Sequence, residues 1–388
     1  MTGAGLRGRL LAIMDAHGRG GAVDPVQVEE LAVEVLRYQA THGRVYGALC
    51  RRRGIDPARV DRWEAFPPVP VRAFQAFDVE AVEDGAGAPE AIFRTSGTTG
   101  GPRGVHRVHD LELYHRSLLA HARRSLVPLP GRVVALLPSP RARPDSSLVH
   151  MVGQFARYGG AGGEEGFHAS PEWVLDTAGF EAALEEAQVA GEPVLVAGTA
   201  FAFVHWLDGR PAGARHHVLP AGSRVVETGG FKGRSREVEP AELHSLLSAA
   251  LGVPGGAIVN EYGMTEMLSQ FWEPPDARVH PPGERWHEGP PWVRTRILDP
   301  DTLEPAEAGA PGVLCHLDLA NLHSASLLLT EDVGVPAGPP GRGGFRVPGR
   351  VQGAPPRGCS LAMEEVLAAE RAGERPGEGH REHPGAYP

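Results

Sequence analysis

The sequence of 388 residues contains one lysine, Lys232, and arginine supplies every other long basic side chain. Arginine-rich codon usage explains the bias as a whole but not why one lysine remains at that place. Cysteine is sparse: Cys50, Cys315 and Cys359 are an odd set without metal-type spacing. This excludes a zinc-finger framework and a disulfide scaffold, and it suits free thiols in a reducing cytoplasm. No apolar run reaches the roughly eighteen residues of a membrane-spanning helix. An excess of positive charge is missing too, and a formal net charge of −10 speaks against nucleic acid as a main partner. The opening MTGAGLRGRLLAIMDAHGRG holds a short apolar patch. His17 and Arg19 stand where a secretory signal would place small residues, so the segment reads as an amphipathic helix. No internal repeat is found.

What is present is ordinary globular material, 41% hydrophobic and 22% charged, long enough for a sizeable core. Asp24 followed by Pro25 is an N-cap pair, and Val28, Leu31, Val35 and Tyr38 then share one helical face. The proline-rich stretch Trp63 to Phe77 reads as an ordered but irregular connector. From Ala91 short apolar runs alternate with helical stretches. Strands are expected at Ala91–Thr95, Arg132–Leu137, Pro193–Ala197, Arg224–Glu227, Ala257–Asn260, Val293–Leu298, Gly312–Asp318 and Ser326–Thr330. Helices are expected at Leu111–Ser125, Pro171–Ala190 and Glu237–Leu251. Such alternation predicts an α/β fold with largely parallel sheet, followed by a smaller antiparallel or barrel-like region. Glycine and proline from Val333 to Gly358 predict a long connector, Leu361–Ala372 a last helix, and Gly373–Pro388 a disordered tail.

The densest chemistry lies in Phe93-Arg94-Thr95-Ser96-Gly97-Thr98-Thr99-Gly100-Gly101-Pro102-Arg103-Gly104, after an expected strand. Hydroxyls interleaved with glycines let backbone N–H and side-chain O–H groups converge on phosphate oxygens, and Arg103 adds a charged fork. A plain glycine-rich surface turn is the bland alternative. A P-loop NTPase is another, but Pro102 follows Gly101 where Gly-Lys-Ser/Thr is required. A second cluster, Asn260-Glu261-Tyr262-Gly263-Met264-Thr265-Glu266, ends another expected strand. Between them lies Glu227-Thr228-Gly229-Gly230-Phe231-Lys232.

Thr95 to Gly100 with Pro102-Arg103-Gly104 resembles the signature loop of the adenylate-forming superfamily, which includes acyl- and aryl-CoA ligases and luciferases. That resemblance implies that Thr95, Ser96, Gly97, Thr98, Thr99, Gly100 and Arg103 grip ATP phosphates; arginine replaces the usual lysine at 103. His109 matches a histidine common shortly after that loop. Tyr262-Gly263-Met264-Thr265-Glu266 matches the superfamily's second motif. By that likeness Tyr262 and Gly263 pack on adenine, Thr265 contacts phosphate and Glu266 holds Mg²⁺, a hard cation suited to one carboxylate. Gly229 and Gly230 occupy the place of the glycine pair that lines the adenine pocket. Lys232, the sole lysine, is the candidate partner of a substrate carboxylate or phosphate. Leu329-Thr330-Glu331-Asp332 resembles the Thr-Gly-Asp motif whose aspartate binds ribose, with Glu331 in place of glycine. Gly349-Arg350 matches the pair before the hinge.

No lysine follows the hinge, so the C-terminal lid domain is expected to be reduced or absent. With the N-terminal helices and the Trp63–Pro70 wording, this is similar to the acyl-protein synthetases of the luminescence fatty-acid reductase system (LuxE type). In that family an acyl-adenylate passes to a cysteine near the C-terminus, here Cys359, and then to a partner reductase or carrier. The organisation implied is 1–78 a helical region and connector, 79–350 the ATP- and acyl-binding core, 351–372 a hinge and residual segment, and 373–388 the tail. The expected chemistry is ATP-dependent activation of a fatty or other carboxylic acid with Mg²⁺. Alternatives are an acyl- or aryl-CoA ligase of the phenylacetate type and an inactive nucleotide-binding subunit. Residues 139–151 with 153–158 are the candidate acyl-pocket segment.

Overall fold

The computed structural model describes residues 2–96, 102–160, 166–211, 213, 215–229, 238–351 and 357–373. Helices α1 (Gly3–Gly18), α2 (Pro25–His42) and α3 (Arg44–Arg52) open the chain. The Asp24 side chain accepts from Val26 N with Pro25 in the first turn, so α2 begins where its cap requires. Val28, Leu31, Val35 and Tyr38 are buried, as their spacing predicts. Gln39 is buried beside them. Its Nε2 donates at 2.8 Å to Asn321 O and to Ser326 Oγ, and its Oε1 accepts from Ser326 N at 3.0 Å. Those bonds fasten the helical region to a later sheet.

The stretch 63–77 is more regular than its prolines suggest, since it contains strand β1 (Val69–Pro70) and helix α4 (Ala73–Ala76). Val69 pairs in parallel with Leu328, an edge position where a proline without an N–H is tolerated. Strands β2 (Ala91–Arg94) and β3 (Val105–Val108) form an antiparallel hairpin with Arg94 opposite Val105. Thr95 and Gly104, the two ends of the hydroxyl- and glycine-rich stretch, directly follow and precede these strands.

Next come α5 (Leu111–Ser125), β4 (Arg132–Pro138), α6 (Ser147–Tyr158), β5 (Phe167–Ala169), α7 (Thr177–Ala190) and β6 (Val194–Thr199). They are followed by α8 (Ala200–Gly209), β7 (Arg224–Thr228), α9 (Pro240–Leu251), β8 (Ile258–Tyr262) and β9 (Phe271–Trp272). The sheet order is β5-β4-β6-β7-β8-β9, parallel throughout except for β9. Alternation decides which face each side chain covers. Val134, Leu136, Val196 and Val225 pack with Phe180, Trp206 and Leu247 of α7, α8 and α9. Val133, Ala135, Leu137 and Val226 pack with Leu118 of α5 and Phe155 of α6 on the opposite face.

The remaining elements are β10 (Val293–Leu298), β11 (Gly312–Asp318), β12 (Leu327–Pro336), β13 (Phe345–Arg350) and α10 (Arg357–Gly373). The sheet runs β1-β12-β11-β10, with β13 also on β12. The expected antiparallel region is present, as an open sheet with β1 added in parallel and not as a barrel. The connector expected over 333–358 is mostly regular. β12 continues to Pro336, β13 pairs Arg350 with Asp332, and α10 starts at Arg357. Its glycines serve the turn between the strands, where Gly338, Gly341 and Gly343 have positive φ. Among the described residues no helix is long and apolar enough to cross a membrane.

Candidate functional site

Parallel α/β sheets present ligand sites beyond the carboxyl ends of their strands. Two of the sequence motifs lie there: Gly229 follows β7, and Tyr262 ends β8 with Gly263 to Glu266 forming the turn after it. The β2–β3 hairpin closes on the same place. His106 on β3 bonds Thr265 O through Nδ1 at 2.8 Å. A Cβ built on Gly104 would lie 3.0 Å from Thr95 Cγ2 and 3.5 Å from Glu266 Oε1. The base of the loop and the candidate magnesium carboxylate are thus neighbours.

That base is tightly bonded. Thr95 and Gly104 pair through Thr95 N to Gly104 O at 3.0 Å, and Gly104 N donates to Thr95 Oγ1 at 2.8 Å. Arg103 Nε donates to Thr95 O at 2.5 Å, and its guanidinium lies 3.3 Å from Asp145 Oδ2. Arg143 first, and Arg103 with it, hold the Asp145 carboxyl below the usual carboxylate range. Ser96 is exposed. Gly97, Thr98, Thr99, Gly100, Gly230 and Lys232 lie outside the described residues.

Tyr262, Asp332 and Arg350, from distant parts of the chain, converge. Tyr262 Oη donates to Asp332 Oδ2 and Arg350 Nε to Asp332 Oδ1, both at 2.9 Å. The β12–β13 register places Arg350 opposite Asp332. Burial, then the Asp332 charge, push the Tyr262 hydroxyl well above its ordinary pKa, so it remains a donor. Glu331 stands where the superfamily has glycine, and it pairs with Arg72 at the surface. Cys359 lies in the first turn of α10. The next residue, Ser360, lines a cavity of about 180 Å³ with Val71, Thr330, Glu331, Met363 and Leu367.

Several supports were not singled out in the sequence. His106 is buried, which lowers its pKa to about 4, and a neutral ring with Nδ1 protonated suits its bond to Thr265 O. His109 instead pairs with Glu80 at 2.6 Å. Asn321 Nδ2 donates to Glu266 O at 2.7 Å. Fully buried Asp318 accepts from Leu268 N and Ser269 N at 2.9 Å, from Ser269 Oγ at 2.7 Å and from Ala320 N at 3.0 Å. It holds the chain directly after Glu266. An isolated aspartate or asparagine near a turn carries no sequence signal for such a role.

Glu266 fits a magnesium ion by chemistry. It is a buried hard carboxylate beside Gly104 at the base of the hairpin loop, and Mg²⁺ commonly takes one or two protein carboxylates beside the nucleotide. Among the described residues no group of three or more His, Cys, Asp or Glu converges.

The acyl-protein synthetase family (LuxE) matches residues 177–368. A long-chain-fatty-acid–luciferin-component ligase of Aliivibrio fischeri is 26% identical over 151 residues, 37% of this chain and 38% of that protein. One from Vibrio harveyi is 34% identical over 87 residues, 22% of this chain and 23% of that protein. The matched stretch therefore spans well under half the length of these relatives. Among solved structures, 2-hydroxyisobutyryl-CoA ligase in an open conformation, with 2-HIB-AMP and CoA, superposes with a TM-score of 0.58 at 16% identity. That likeness covers 84% of this chain and 75% of the other. The same enzyme in its thioesterification state gives a TM-score of 0.56 at 17% identity, covering 84% and 68%. The fold is that of adenylate-forming ligases, and the likeness to the acyl-protein synthetases read from the motifs holds over the matched half.

Proposed function

We propose that this chain, matched over 177–368 by the acyl-protein synthetases, uses ATP to activate a carboxylic acid of fatty type and then carries the acyl group on Cys359. The observation that carries the reading is the convergence of Tyr262, Asp332 and Arg350 beside a hairpin loop whose base touches Glu266. In the first step a substrate carboxylate oxygen bonds to the α-phosphorus of ATP as the bond to the pyrophosphate oxygen breaks. Thr95 to Gly100 and Arg103 hold the phosphates, and Lys232 meets the acid or phosphate charge. Gly229, Gly230, Tyr262 and Gly263 border the adenine, Thr265 contacts phosphate, and Asp332 takes the ribose hydroxyls. Mg²⁺ on Glu266 would supply charge neutralisation at the phosphates. Preorganised charge of this kind lowers the barrier because it needs no rearrangement as the new charge develops.

In the second step the Cys359 sulfur bonds to the acyl carbonyl carbon, AMP leaves with the bonding pair, and the thiol proton passes to solvent. Support comes from position. Ser360, next to Cys359, shares its cavity with Thr330 and Glu331, which directly precede Asp332. Delivery to an acyl-accepting reductase or carrier protein would follow. The experiment is single-turnover labelling with a radiolabelled acid and ATP. Hydroxylamine-labile label should appear on the denatured wild type and be lost in Cys359→Ser, which should still make acyl-AMP. Equal label on both proteins would reject Cys359 as the acceptor.

A further inference from the structure

On the strand ends that frame the site, side chains alternate between the two faces of the sheet. Asn260 and Glu227 turn towards α9: Asn260 Nδ2 donates to Glu227 Oε1 at 2.6 Å, and His244 Nε2 lies 3.1 Å from the same oxygen. Their neighbours Thr228 and Glu261 pair in register and turn to the other face, where Thr228 Oγ1 donates to Glu261 Oε2. That face is covered by α5 and α6, and α6 belongs to the segment expected to line the acyl pocket. Tyr114 of α5 feels this carboxyl. Burial first, then the charge of Glu261, raise its hydroxyl pKa.

This face is polar where a hydrocarbon chain would want it apolar. The Glu261 carboxyl is buried, and the only hydrogen-bond donor it has among the described residues is Thr228. Gln270 is 6% exposed, and its Oε1 has no hydrogen-bond partner among the described residues. Both side chains flank one point: a Cβ built on Gly263 would lie 2.4 Å from Glu261 Oε1 and 3.8 Å from Gln270 Cγ. Glycine at 263 is what lets the carboxyl tuck under the turn. Buried acceptor oxygens lacking donors are costly and rare in proteins, so these two are suited to accept from a bound donor that the described residues do not supply. Burial lifts the Glu261 carboxyl to about 7, and a substrate donor at this oxygen would restore the solvation that burial removes.

We propose that Thr228, Glu261 and Gln270 form a specificity point that selects an acid carrying a hydrogen-bond donor, a hydroxyl or amino group, over an acid with a bare hydrocarbon chain. The proposal rests on the acid-activating reading of the site and goes further by naming the substrate class. It accounts for three buried polar side chains to which the proposed nucleotide contacts give no role.

The test is acid-dependent pyrophosphate exchange on the full chain, with hydroxy-substituted, amino-substituted and unsubstituted acids of matched length. The best donor-bearing acid should exceed its unsubstituted counterpart at least about tenfold in kcat/KM, because a site built around hydrogen bonding rejects analogues that lack the group. That ratio should fall towards one in Glu261→Gln and in Gln270→Leu. The wild-type panel needs no variant, and Gln270→Leu keeps the test open if Glu261→Gln misfolds. Equal or better use of the unsubstituted acids by the wild type would overturn the proposal and leave acid activation standing. A preference that persists in both folded variants would also overturn it. No exchange with any acid would remove the proposal together with the reading beneath it.

Discussion

Asp332 shows how much one side chain can organise. Its two oxygens accept from Tyr262 and Arg350, each at 2.9 Å, so side chains from β8, β12 and β13 are tied together at one carboxylate. Asp332→Asn would keep the volume but replace one acceptor by an N–H₂ group facing a donor. ATP affinity should weaken by roughly 2 kcal/mol, the scale of charge-assisted hydrogen bonds. Pyrophosphate exchange against ATP concentration, with a melting curve as control, reads this directly; an unchanged KM for ATP would reject the assignment. These residues were legible because each sits in a contiguous motif with its own chemistry. Thr228, Glu261 and Gln270 were not, because a polar residue at a strand end gives no sign of whether it faces solvent or the interior.

At the level of elements, the helix Leu111–Ser125 and the strands Val293–Leu298 and Gly312–Asp318 have the bounds expected of them, whereas the helices expected from Pro171 and Glu237 begin at Thr177 and Pro240. The β13 strand was missed because Gly341, Arg342, Gly343 and Gly344 before it, and Pro348 and Gly349 within it, imitate a linker. β1 was missed because a two-residue parallel pairing has no period of its own. Another unheralded device is Asp318, whose buried carboxylate gathers the turn after Glu266 onto the end of β11. Asp318→Asn would turn an N–H₂ group towards backbone donors in a fully buried site. Stability should fall by about 2–4 kcal/mol, as for other broken buried charge networks. Urea unfolding followed by circular dichroism checks it, and a variant with the wild-type midpoint would show that the turn holds itself.

At the scale of the whole molecule, several histidines among the described residues are buried, and burial favours their neutral form. Burial lowers His17, His106 and His287 to about 4 and His121 and His316 to about 3. Unfolded, these rings titrate near about 6.5, so between that pH and about 4 the unfolded chain binds more protons than the folded one. Their contribution is therefore complete above pH ~6.5 and is lost as pH falls towards ~4. Glu261 works in the opposite direction. Its folded value near 7 exceeds the unfolded one, so its contribution is lost as pH rises from about 4.5 to 7. Glu273 and Asp318, which burial also raises, act in the same sense as Glu261, but these five lowered histidines outnumber the three carboxyls, so the urea midpoint should drop steadily from pH 7 to pH 5. A flat profile would mean that the histidines are solvated. Folding, however, is secondary to what the fold is for. The central claim is acid activation through an acyl-adenylate, and isotope exchange between labelled pyrophosphate and ATP tests it most directly. With Mg²⁺ and a panel of fatty, hydroxy-fatty and aromatic acids, exchange should depend on the acid and disappear when it is omitted. A folded protein that shows no acid-dependent exchange with any of them would contradict the account.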